Sequence, residues 1–183
     1  RQKLFENTKF FSFPVHHGEI TAMALAADGS GVFTAGIDNR VVFSRLRSGS
    51  ISESSELEVE NLLTSPRAIL ALSPSPDGRY LALGQFSLVS IFDVREKRVI
   101  AEISRVEGRI TALAWDPKGG FLAIGRASGD VLLWEPYDED WSQAQDRPDV
   151  LETYSGAVSP IVKIVFHPAG RVFFAAEREG IVS

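Results

Sequence analysis

The sequence predicts an all-β fold assembled from a tandem four-stranded unit, on the strength of three observations. One cadence occurs four times, as "EITAMALAADGSGVFTAG", "AILALSPSPDGRYLALG", "RITALAWDPKGGFLAIG" and "IVKIVFHPAGRVFFAA". Its turn glycines, Gly29, Gly78, Gly119 and Gly170, stand 49, 41 and 51 residues apart, a period that marks stacked supersecondary units. Nine residues before each glycine stands an isoleucine: Ile20, Ile69, Ile110 and Ile161. Between isoleucine and turn the chain alternates with period two in small and β-branched residues, as buried strands do. No stretch shows convincing helical periodicity.

Each unit then resolves strand by strand. The first strand follows the isoleucine, as "TAMAL", "LALS", "TALAW" and "VKIVF". Pro74, Pro76, Pro117 and Pro168 stop it, because proline donates no ladder hydrogen bond. The glycine after them accommodates the turn. A second strand is expected over 32–35, 80–83, 121–124 and 172–175. It ends on Gly36, Gly84, Gly125 or Ala176, where a bulkier side chain would crowd the neighbouring unit. A third strand runs over 40–44, 89–93 and 130–135, with its aromatic at one matching place: Phe43, Phe92 and Trp134. A fourth strand, more polar, is expected over 57–59, 99–104 and 150–154, and suits an outer edge facing water. Four strands per unit at a period of about 40–50 residues describe the blades of a β-propeller.

The units resemble the WD-repeat β-propeller family across nearly the whole chain. The matching residues are "SPDG" at 75–78, "DPKG" at 116–119, "HPAG" at 167–170, the closing "WE" at 134–135 or "FD" at 92–93, and "ASGDVLLWE" at 127–135. The family's Gly-His pair is represented only by Val15-His16; the corresponding places hold Ser65, Val106 and Ala157. Its buried Asp-His-Ser-Trp set is therefore expected to be incomplete. In this family the face built from the loops entering first strands and joining second to third strands commonly binds peptides or proteins. The resemblance implies that Glu19, Arg67, Arg109, Arg126 and Glu177 lie near that face.

The chain reads as a single partial propeller, 1–183, with blade units at approximately 14–60, 61–105, 106–155 and 156–183, the last incomplete. Residues 9–13, "KFFSF", resemble an outer strand of a neighbouring blade. About four blades are present, and the expected whole is a ring of six to eight. The alternatives are two chains pairing into a double-length ring, a ring completed by a different chain, and closure of the four units alone. Arg1 opens the chain with neither methionine nor a signal-like apolar segment, so the start is expected to be a processed boundary.

Composition excludes several function classes. The net charge of −5 gives no basic footprint for nucleic acid, so none is expected as a partner. No apolar run approaches the ~18 residues of a spanning helix, and no membrane association is expected. Cysteine is absent, which removes thiolate chemistry and accords with a reducing compartment; a cytoplasmic location is expected, with the nucleus as the alternative. His16 and His17 are adjacent, so on a strand they point to opposite faces and are ill placed to share one metal. His167 occupies a turn place filled elsewhere by Ser75 and Asp116. No nucleophile elbow, phosphate loop or calcium loop occurs. "GSGVFTAG" at 29–36 places Thr34 where a dinucleotide loop needs its third glycine. No catalytic residue, cofactor or metal ligand is assigned.

What remains is recognition. Two insertions follow third strands and should leave the same side of the disc: "RSGSISESSE" at 47–56, and "EPYDEDWSQAQDRPD" at 135–149 with six acidic residues. Tyr137 and Trp141 could anchor a partner there, and the acidic surround favours a basic one. The serines of the first insertion are candidate phosphate acceptors. The function expected is a non-catalytic protein–protein interaction scaffold, a rigid disc that presents loops to other proteins or peptides. The alternatives are a propeller enzyme or small-ligand sensor with a site at the central channel, and a structural subunit completed by another chain.

Overall fold

The computed structural model describes residues 12–46, 57–104, 106–136, 150–170 and 172–180. Among them every regular element is a strand. The first blade comprises β1 (Ile20–Leu25), β2 (Val32–Gly36), β3 (Arg40–Leu46) and β4 (Leu57–Thr64). The second comprises β5 (Ala71–Pro74), β6 (Tyr80–Gly84), β7 (Val89–Asp93) and β8 (Arg98–Ile103). The third comprises β9 (Ile110–Trp115), β10 (Leu122–Arg126), β11 (Val131–Trp134) and β12 (Val150–Tyr154). Strands β13 (Ile161–Phe166) and β14 (Phe173–Glu177) begin the fourth. Each blade is an antiparallel meander in sequence order, and the first strands adjoin one another in the order β1, β5, β9, β13. The chain is thus an arc of a β-propeller, with its first strands on the inside.

The four hairpins between first and second strands share one geometry. Ala26, Ser75, Asp116 and His167 each donate the backbone N–H to the carbonyl five residues on, and each accepts the N–H of the turn glycine. Gly29, Gly78, Gly119 and Gly170 sit at φ of 71°, 72°, 75° and 76°, where a side chain is disfavoured. A second shared device is a bulge one residue after the isoleucine. Thr21, Thr111 and Val162 are the extra residues in β1, β9 and β13, and such bulges bend and twist the strand. The Thr21 hydroxyl donates to the carbonyls of Ala35 and Ile69, and that of Thr111 to Gly125.

The cores lie between blades rather than within them. Phe33, Val41, Ile69, Leu72, Leu81 and Phe92 fill the seam between the first and second. Ile91, Ile103, Ile110, Leu113, Leu122 and Trp134 fill the next. Ile161 and Ile164 close on Ala112, Ala123 and Val131 in the last. Gly84 and Gly125 make this contact possible. A Cβ on Gly84 would come 2.8 Å from Ile110 Cγ2, and one on Gly125 2.7 Å from Ile161 Cγ2. Trp115 adds polar links between blades, its indole N–H donating to the Ser73 carbonyl at 3.1 Å and its backbone N–H to Ser73 Oγ at 3.2 Å.

Three details differ from the sequence expectation. Ile69, Ile110 and Ile161 are buried in the seams, whereas Ile20 is 47% exposed, because the described residues place no blade before the first. Strand β4 runs on to Thr64 instead of stopping at residue 59. A register shift at Val41/Val42 lets it keep pairing with β3 and turns Leu62 into the core. Ser12 and Phe13 lie in no strand, and residues 9–11 are outside the described part.

Candidate functional site

Loops entering first strands meet turns joining second to third strands on one face of the arc. Backbone hydrogen bonds tie them: Ile37 N–H to Glu19, Ser65 to Asn39, Ser87 to Gly108, Ala127 to Arg109 and Arg178 to Pro160, all between 2.8 and 3.0 Å. Alternating connections of a meander make this inevitable, since every second loop emerges at the same end of its sheet.

Side chains lock the same loops, by different chemistry in each blade. In the first, Asp38 faces His16, with Oδ1 2.9 Å from Nδ1, and accepts the backbone N–H groups of His17 and Arg40. The other ring nitrogen, Nε2, makes a hydrogen bond with the Thr34 hydroxyl at 2.9 Å. Burial would raise the Asp38 carboxyl, but the His17 N–H, the His16 ring and the Arg40 N–H together hold it down at about 2. In the second blade Gln85 donates to Ser90 Oγ, and Ser87 Oγ accepts the Gly108 N–H. In the third, the Arg126 guanidinium donates to Asp130 at 2.6 Å and to the Glu107 carbonyl at 2.9 Å. Hydroxyls of Ser128 and Ser155, then the charge of Arg126, hold the Asp130 carboxyl below its ordinary value. In the fourth, Glu177 accepts the N–H groups of Val158 and Ser159 and the Ser159 hydroxyl.

These locks sort the residues singled out from sequence. Glu19, Arg67 and Arg109 are exposed on the looped face. Arg126 is drawn into its ion pair with Asp130, its side chain 16% exposed. Glu177 is 5% exposed and spent on backbone donors, so it holds a loop and is not open to a partner. Tyr137, Trp141 and the serines of 47–56 lie outside the described residues. His16 is a structural side chain of the Asp38 set, and His167 caps its own turn, Nδ1 accepting the Ala169 N–H at 3.1 Å. Two residues escaped sequence reasoning. Asp38 stands two residues before the third strand, at the place Ser128 holds in the third blade, so no repeated residue marks it. Phe86 carried no signal: it is an aromatic directly after a buried strand, yet 67% exposed.

On the inner side, β1, β5, β9 and β13 wall a cavity of 430 Å³ lined mainly by apolar side chains, including Met23, Leu72, Leu113 and Trp115. Lys163 is the one charged residue of that lining. Among the described residues no group of three His, Asp or Glu side chains could hold a metal, and no helix is long and apolar enough to cross a membrane.

Comparison with known proteins agrees with this architecture. The family model of the WD domain, G-beta repeat, matches residues 101–135. Histone acetyltransferase type B subunit 2 of Candida glabrata is 26% identical over 152 residues, covering 73% of this chain and 36% of its own length. A U3 snoRNP-associated protein-like protein of Oryza sativa subsp. japonica is 32% identical over 114 residues, covering 56% of this chain and 22% of its own. The crystal structure of the RRP9 WD40 repeats superposes with a TM-score of 0.68 at 19% identity, over 91% of this chain and 48% of that one. The chain therefore spans about a third or less of these curated relatives and about half of the solved ring. With its repeated hairpin, its bulge and its blade-by-blade seams, the chain has the fold of the WD-repeat β-propellers and carries a WD repeat at residues 101–135.

Proposed function

We propose that the protein is a non-catalytic scaffold that presents the looped face of its propeller arc to other proteins or peptides. The observation that supports this most is the side-chain lock in each blade: His16–Asp38–Thr34, Gln85–Ser90, Arg126–Asp130 and Glu177–Ser159. Loops fixed before contact lose little conformational freedom on binding, so more of the contact energy appears as affinity. Glu19, Arg67 and Arg109 stay exposed above these locks and are the proposed contact residues, while Arg126 and Glu177 position the loops that carry them. The relatives point the same way, one being named as a subunit of an acetyltransferase and one as associated with a snoRNP. By that likeness this chain works inside a protein or ribonucleoprotein assembly, joined through protein contacts given its net charge of −5. An RNA-processing assembly would place it in the nucleus rather than the cytoplasm.

A photocrosslinking amino acid at position 67, compared with one at position 118 in the opposite hairpin turns, tests the proposal in lysate of the source cells. Discrete adducts are expected from position 67 and not from 118. Equal labelling at both, or none at 67, would overturn it.

A further inference from the structure

Phe86 is the most exposed aromatic described, and its backbone is held. It forms an antiparallel bridge with Arg109, across the boundary between the second and third blades. Arg109 is held from its other side as well, its carbonyl accepting the Ala127 N–H at 2.9 Å. Arg67 lies on the loop that enters the blade of Phe86, its N–H donating to Ser65 Oγ at 3.2 Å. Arg67 and Arg109 are both exposed.

Several guanidiniums elsewhere in the arc are paired with acids. Arg45 faces Glu58, Arg79 faces Asp93, Arg98 faces Glu96 and Arg126 faces Asp130. Arg67 and Arg109 face no acid among the described residues. An exposed aromatic bridged through its backbone to an arginine that has no acid partner among the described residues has the makings of a binding hot spot. Glu107, exposed two residues before Arg109, limits the charge that a ligand can carry, since a run of acidic residues would be repelled there.

Resting on the scaffold function above, we propose that Phe86 and Arg109 form the anchor for a peptide segment bearing one apolar side chain beside a single carboxylate. The apolar side chain packs on the Phe86 ring. The carboxylate takes the guanidinium of Arg109, an arrangement that suits arginine's planar fork.

The test is fluorescence anisotropy with fluorescein-labelled decapeptides in a Gly-Ser background, carrying Leu-Glu, Leu-Gln, Leu-Lys or four successive glutamates. Leu-Glu is expected to bind tightest, with Leu-Gln and the polyacidic peptide about tenfold weaker. Phe86→Ala should weaken Leu-Glu by about tenfold or more. Arg109→Glu should move the preference to Leu-Lys, a reversal that damage to the fold cannot produce. Equal binding of all four peptides, a wild-type preference for Leu-Lys, or indifference to both substitutions overturns the assignment. If position 67 still crosslinks to a partner in that case, the ligand chemistry is wrong and the scaffold function stands. If it does not, both fall.

Discussion

Asp38 collects three donors at the head of the first blade, namely the His16 ring, the His17 N–H and the Arg40 N–H. All three favour the ionised carboxylate, which is why its folded value lies near 2 instead of 3.8. The sign follows from linkage. A carboxyl whose value is depressed on folding stabilises the fold fully above its unfolded value, and that stabilisation is lost as pH falls from about 4 to about 2. The shift corresponds to about 2 kcal/mol. Asp38→Asn should therefore lower stability by that amount at pH 7, and the gap to wild type should close by pH 2. Urea unfolding of both proteins across this range checks it; a gap that persists at pH 2 would mean that Asp38 contributes through shape and not charge. The Glu177 lock in the fourth blade shows that this post admits other chemistry, since one acid there takes two backbone donors and a serine without a histidine.

At the scale of elements, the seams carry the molecule's packing, and Gly84 and Gly125 in the second strands set the width of two of them. Gly84→Ala would push a methyl toward Ile110 Cγ2, 2.8 Å from the new atom, in a seam with no spare room. Overpacking of this kind costs about 1–3 kcal/mol. Ile110→Ala removes the opposing methyl, so the double substitution should cost less than the two single changes added together, as contacting residues couple. Denaturation midpoints of the three variants measure this, and strict additivity would show that the two blades do not bear on each other here. Hairpins, seams and glycines of this sort were legible in the sequence because they are local and repeat: a turn glycine, an isoleucine nine residues earlier and a small residue at the strand end recur in every unit. The locks were less legible. Asp38 meets His16 across 22 residues and Glu177 meets Ser159 across 18, and the side chains differ from blade to blade, so no repeated letter marks them. Glu177 reads as an open charge for the same reason, since its donors at 158–159 become neighbours only once the sheet has formed, whereas Arg126 meets Asp130 only four residues on, across the turn between them. The length of β4 was hidden too, since a bulge at Val41/Val42 changes which face Leu62 takes.

Across the whole arc, the position three residues after the repeated isoleucine reveals what the ends lack. Leu72, Leu113 and Ile164 hold it in the later blades at 8%, 9% and 3% exposure, and Met23 holds it in the first at 70%. Leu113 and Ile164 pack back toward Gly84 and Gly125 of the preceding blade, so Met23 and Ile20 form the half of a seam whose other half would be a blade before the first. At the far end, Phe174 stands where the third blade has Ala123, and is 51% exposed against 0%. Val162 and Val165 are uncovered beside it. Apolar faces of this kind, on both flanks of a repeat array, are what further units or caps cover. The 183-residue polypeptide studied by itself should therefore bind a hydrophobic dye such as ANS and associate with increasing concentration. Met23→Lys together with Phe174→Lys should reduce both effects without lowering the melting temperature, because neither side chain belongs to a described core cluster. Sedimentation velocity over a hundredfold concentration range, with dye titration alongside, makes the comparison. A monodisperse 20.0 kDa species that binds no dye would mean that the two flanks are closed in solution, and that the arc completes its own ring.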